Sequence, residues 1–120
     1  MRGFAASAAN ARNSPSTNAA EAGAVRVELE DLLRQADVVS LHLPVSPETR
    51  GMFDAKRLAL MKTGAVLVNT ARAALVDRDA LLAALGAGRI VAGLDVFHAE
   101  PLPASDELLA LPDVVMTPHD

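Results

Sequence analysis

The sequence contains no cysteine, tryptophan or tyrosine, and its aromatic content is 2%. Without cysteine neither a disulfide framework nor a thiolate metal site can form, and an intracellular setting is compatible with that absence. With so few rings to stack, a core must be built from Ala, Leu and Val, which suits helices packed on a sheet. No apolar run approaches the roughly 18 residues that a membrane-spanning helix requires. Charge of one sign is not gathered into blocks: 11 Lys and Arg are interspersed with 15 Asp and Glu, for a net charge of −4. That balance argues against the basic face of a general nucleic-acid binder. Residues 1–18 carry an early Arg2 but no sustained apolar stretch of the signal-peptide kind, so the chain is read as soluble and cytoplasmic.

What remains is 120 residues, 51% of them hydrophobic, enough for one modest domain. Residues 1–24 are poorly defined. Met1–Ser7 reads as a weak strand, Ala8–Asn18 as a loop rich in Ala, Asn and Ser, and Thr17–Ala22 as a short helix stopped by Gly23. From residue 25 strand and helix alternate. Val25–Val27 is a brief strand, and Leu29, Leu32 and Leu33 fall at helical spacing. The run Val38–Leu43, terminated by Pro44, is a strand. Asp54 caps a helix through Met61, which Lys62-Thr63-Gly64 closes before the strand Ala65–Asn69. Asp77 caps Arg78–Leu85, and Gly86 and Gly88 break it before Ile90–Asp95. Ser105 or Asp106 starts a helical turn, and Val114–Met116 is the last strand. The runs at Val38 and Ala65 predict strands buried on both faces. Alternation with short connections predicts right-handed crossovers and a doubly wound parallel α/β sheet with helices on both faces.

In such a sheet ligands bind beyond the carboxyl ends of the strands. Four predicted strands end in chemically capable groups: His42 with Pro44, Asn69-Thr70-Ala71-Arg72, Asp95 with the loop to Glu100, and Thr117-Pro118-His119. Taken singly each has a bland explanation: Asn69 and Asp95 are good turn caps, Pro44 and Thr49 shape turns, and a lone Arg or His at a strand end is often solvated or packed. Together they have a chemical logic. Arg grips a carboxylate with two charge-assisted bonds, His exchanges a proton near neutral pH, and Glu stabilises an imidazolium. That set suits reduction of a 2-oxo acid.

These blocks also resemble a known family. Val38-Val39-Ser40-Leu41-His42-Leu43-Pro44 followed by Ser46-Pro47-Glu48-Thr49-Arg50-Gly51 is similar to the cofactor domain of D-isomer-specific 2-hydroxyacid dehydrogenases. Met61–Ala65 with Asn69-Thr70-Ala71-Arg72 and Leu75-Val76-Asp77 resembles the family's catalytic-Arg motif. Gly93–Phe97 with Glu100-Pro101 resembles its catalytic-Glu motif, and Thr117-Pro118-His119 its catalytic-His motif. The likeness spans about residues 25–119 in family order and is loose before Val25.

The resemblance implies a partial Rossmann-like NAD(P)-binding domain over residues 25–120 of a dehydrogenase acting on a small 2-hydroxy or 2-oxo acid. It implies catalytic roles for Arg72, Glu100 and His119: Arg72 on the substrate carboxylate, His119 as proton donor and acceptor, Glu100 supporting protonated His119. NAD or NADP would lie along His42, Pro44, Thr49, Asn69, Thr70, Ala71, Arg72, Asp95 and His119, with Asp95 on the nicotinamide carboxamide. A homodimer is expected of the full-length parent, and no metal, nucleic acid or membrane.

Departures from the family pattern are equally specific. No Gly-x-Gly-x-x-Gly loop occurs, so the backbone amides that cradle a pyrophosphate are missing. If Met1–Ser7 matches the family's second strand, the first strand and its loop lie upstream, and a substrate-binding domain is absent too. Ser7, near the ribose-reading position, favours neither NAD nor NADP. Ala73 stands where the family has Gly, placing a methyl beside the Arg72 backbone that is expected to alter its conformation. His119 lies one residue from a terminus expected to fray. Two alternatives follow: a non-catalytic Rossmann-type interaction module or inactive truncated fragment, and, within the enzymes, formate or phosphite oxidation.

Overall fold

Alternating apolar residues set the inside of a five-stranded sheet. The computed structural model describes the backbone of residues 5–8, and residues 27–98, 103 and 105–117. Its strands are β1 (Ala5–Ala8), β2 (Val38–Leu41), β3 (Ala65–Asn69), β4 (Ile90–Leu94) and β5 (Val114–Met116). They lie in chain order, every neighbouring pair parallel. Leu41 pairs with Asn69, Asn69 with Leu94 and Leu94 with Met116, so the carboxyl ends of β2 to β5 form one edge.

Parallel neighbours need crossovers, and right-handed crossovers between consecutive strands return to the same side of the sheet. Helices α1 (Leu29–Gln35), α2 (Ala55–Leu58) and α3 (Arg78–Gly86) supply them, α1 touching α2 and α2 touching α3. The described helices thus form a single layer. Leu33, Leu58, Leu81 and Leu85 from this layer join Val39, Leu41, Leu67, Ile90 and Ala92 of the sheet in one buried core. The expectation of strands buried on both faces holds for one row only. Val66 and Val68 of β3 and Val91 and Gly93 of β4 are half-buried, and Val115 at the sheet edge is 67% exposed.

Helix starts fall where the acidic caps lie. Asp54 accepts from the Arg57 N–H, Asp77 from Ala80 N–H and Asp106 from Leu108 N–H, the last opening a 3-10 turn over Glu107–Ala110. Each satisfies a backbone donor that the first helical turn leaves unpaired. Helix ends depart further from expectation. α2 stops at Leu58 rather than Met61, because Leu60 and Met61 bond back three residues and Arg89 donates to the Leu58, Ala59 and Met61 carbonyls. Gly64 and Gly88, at φ of 87° and 71°, make the left-handed turns into β3 and β4.

β2 ends two residues before Leu43, so His42 and Leu43 belong to a loop. A 3-10 turn at Ala73–Leu75 and a bridge between Phe53 and Val76 were not expected from the sequence. Val27 is described but not part of a strand; Val25 and Arg26, the loop over Ala8–Asn18 except Ala8 itself, and the Thr17–Ala22 helix lie outside the described residues. None of the described helices is long and apolar enough to cross a membrane.

Candidate active site

At the carboxyl edge two loops leave the sheet side by side. After β2 the chain runs through His42-Leu43-Pro44-Val45, and after β3 through Thr70-Ala71-Arg72. Between them lies an open cavity of about 580 Å³ lined by His42, Leu43, Pro44, Val45, Ala71 and Arg72. Its walls mix apolar side chains with Arg72 and His42, and its size lies within the roughly 300–1,000 Å³ of small-molecule and cofactor sites. Leu43 and Val45 were not singled out from the sequence. Their signal was the apolar run continuing past the end of β2.

Asn69 closes the second loop. It is 2% exposed, its Oδ1 accepting from the Ala71 N–H at 3.1 Å and its Nδ2 donating to the Arg72 carbonyl at 2.9 Å. The exposed Arg72 guanidinium donates through Nη1 to the Ala71 carbonyl at 2.7 Å. Ala73 enters the following 3-10 turn, and among the described residues no non-glycine residue has positive φ. The extra methyl expected to disturb Arg72 is therefore accommodated in ordinary backbone: Arg72 itself is extended, with φ −147° and ψ 135°.

The first loop is closed by Thr49. Its hydroxyl donates to the Pro44 carbonyl at 2.7 Å and accepts from the Ser46 N–H at 2.8 Å, with only 8% of the residue exposed. Thr49 thus shapes the wall that Pro44 presents, and the structure does not place it on the cavity. His42 does line it, its Nε2 lying 2.8 Å from the Ser40 hydroxyl.

On the other side of β3, Asp95 follows the last residue of β4. Its N–H donates to the Asn69 carbonyl, and one carboxylate oxygen accepts from the Thr117 hydroxyl at 2.7 Å. Thr117 follows β5, its N–H donating to the Leu94 carbonyl. The fold thereby brings Asn69, Thr70, Ala71, Arg72 and Asp95 to one edge, with His42 and Pro44 beside them. Glu100 and His119 lie outside the described residues.

A histidine passed over in the sequence, His98, has its Nε2 at 2.9 Å from the Val76 carbonyl. Nearby, Asp106 pairs with Arg78 at 3.1 Å. Burial pushes the Asp106 carboxyl up, but the Leu108 N–H and the Arg78 guanidinium outweigh it and hold the group below the ordinary aspartate range.

A cavity lined by apolar side chains with Arg72 and His42, and a carboxylate just past the adjacent strand, has the groups to receive part of a nicotinamide dinucleotide. Comparison with known proteins agrees. Residues 2–120 match the model of the D-isomer specific 2-hydroxyacid dehydrogenase NAD binding domain. A glyoxylate reductase from Aeropyrum pernix is 50% identical over 100 residues, 82% of this chain and 30% of that protein. A crystal structure of a D-isomer specific 2-hydroxyacid dehydrogenase from Xanthobacter autotrophicus, in complex with NADPH and MES, is 47% identical with a TM-score of 0.72. It covers 76% of this chain, which spans 30% of it. A formate dehydrogenase from Granulicella is 36% identical with a TM-score of 0.84, over 94% of this chain and 31% of its own. The chain thus spans about 30% of the length of these relatives. With its parallel sheet, its cavity at the carboxyl edge and its match to the family's NAD binding domain over residues 2–120, the chain belongs to the D-isomer-specific 2-hydroxyacid dehydrogenases, as part of their NAD-binding domain.

Proposed function

We propose that this chain is the cofactor-side part, residues 25–120, of an NAD(P)-dependent oxidoreductase that interconverts a 2-hydroxy acid and its 2-oxo acid. The observation that carries the reading is the meeting of the His42–Val45 loop and the Ala71–Arg72 loop on one cavity at the carboxyl edge. A nicotinamide dinucleotide held at this edge would supply or accept the hydride. His42, Leu43, Pro44, Thr70 and Ala71 would hold it, with Asp95 offering a carboxylate acceptor to its carboxamide. Arg72 grips the substrate carboxylate and so aims the reacting carbon. His119 gives a proton to the carbonyl oxygen during reduction and takes it back during oxidation, while Glu100 stabilises the protonated ring.

Two relatives, a glyoxylate reductase and a formate dehydrogenase, act by their names on small carboxylates, which supports the role given to Arg72. A cytoplasmic location accords with the absence of cysteine, and a homodimer is expected of the complete enzyme. The test is steady-state NADH oxidation with glyoxylate by the full-length enzyme carrying this chain. Arg72→Ala is expected to lower kcat/KM about 100-fold or more, corresponding to ~3 kcal/mol for lost bonds to a charged group. Unchanged turnover in that variant would exclude the mechanism.

A further inference from the structure

We propose that Asn69 is a positioning residue that sets the reach of Arg72 toward the substrate carboxylate, an inference resting on the function proposed above. The family resemblance implies a place for Asn69 beside the cofactor, while its side-chain amide is spent on its own turn. It is 2% exposed and spends both polar groups on the turn that carries Arg72. Its Oδ1 takes the Ala71 N–H and its Nδ2 gives to the Arg72 carbonyl, a carbonyl that also accepts from the Leu75 N–H at 3.3 Å. The amide satisfies both partners in one orientation only, because one position needs an acceptor and the other a donor.

The Arg72 guanidinium is itself braced within this turn, through Nη1 on the Ala71 carbonyl. That bond ties the guanidinium to the same turn, so the turn's geometry bears on where it stands at the cavity. The Asn69 carbonyl meanwhile accepts from the Asp95 N–H, tying the same turn to the end of β4. Asn69 therefore joins the two strand ends that carry the proposed substrate anchor and the proposed carboxamide acceptor. Aspartate at this position keeps the acceptor for Ala71 but sets an anionic oxygen against the Arg72 carbonyl.

The experiment uses the full-length enzyme, with glyoxylate and NADH as probes. Asn69→Asp is expected to raise KM for glyoxylate about 10- to 100-fold, the scale on which a misplaced binding group acts, while KM for NADH stays within about 2-fold. Combined with Arg72→Lys, it adds little to the loss caused by Arg72→Lys alone, because both act through one group. Asn69→Ser, which keeps a small acceptor, serves in the same cycle if the aspartate variant fails to fold. A second measurement adds guanidinium ion to Arg72→Ala. A free guanidinium needs no turn, so adding Asn69→Ser leaves the rescued rate unchanged. Wild-type KM for glyoxylate in the Asn69 variants, fully multiplicative losses with Arg72→Lys, or a parallel rise in KM for NADH each overturn the inference alone. Undiminished activity of Arg72→Ala overturns the underlying functional reading.

Discussion

Asp106 keeps 6% of its side chain exposed and still stands below the ordinary aspartate range, held there by the Leu108 N–H and Arg78 against the opposing effect of burial. A carboxyl whose folded pKa is depressed stabilises the fold above its unfolded pKa, about 3.9, and that contribution is lost as pH falls through the folded value. Asp106→Asn retains a side chain able to cap the 3-10 turn but removes the charge facing Arg78. It is expected to cost about 1–3 kcal/mol at pH 7 and less at pH 3, below the unfolded pKa, read from urea midpoints at the two values. An equal loss at both would show that the charge is not what matters. The same scale governs the site: Arg72→Ala is expected to lose carboxylate binding, and Asn69→Asp to raise the glyoxylate KM while sparing NADH. The position of Arg72 in the loop after β3 was legible from the sequence. The internal use of Asn69 and Thr49 was not, because whether a polar side chain faces a ligand or its own backbone depends on the turn it sits in.

Among the elements, α3 shows how much a short helix depends on its ends. Nine residues are too few to be stable alone in water, so its start rests on Asp77 accepting from Ala80 and its body on Leu81 and Leu85 in the core. Asp77→Ala is expected to lower unfolding free energy by about 1 kcal/mol without changing the fold, measured by thermal melting with far-ultraviolet circular dichroism. No loss would mean that packing alone sets this helix. Starts of this kind were legible because a cap and the amide it satisfies are three residues apart. The end of α2 was not, because Arg89 reaches the Ala59 carbonyl from 30 residues away.

For the whole molecule, burial rather than strand membership decides what a side chain contributes. Leu67 in the middle strand is 0% exposed, and Val115 in the edge strand is 67% exposed. Leu67→Ala is expected to cost about 2–5 kcal/mol, a large share of the roughly 5–15 kcal/mol that stabilises a typical domain. Val115→Ser is expected to stay within about 0.5 kcal/mol. Chemical denaturation of both variants checks the pair, and comparable losses would show that the outer row of the sheet is covered after all. From the sequence both residues read alike, as apolar members of short apolar runs.

The sequence by itself determined what is local: which runs become β2 to β5, which aspartates open helices, and the order of the motifs that mark the family. Each depends on residues a few positions apart, within reach of backbone hydrogen bonds and side-chain periodicity. Only the tertiary structure decided which strand ends share a cavity. Parallel register places Leu41, Asn69, Leu94 and Met116 along one edge, and so sets His42 and Pro44 opposite Ala71 and Arg72. It also decided that one row of the sheet is sealed beneath the helices while the other stays partly open. The physical reason is that crossover handedness and strand register act between segments far apart in the chain, where no spacing in the sequence reports them.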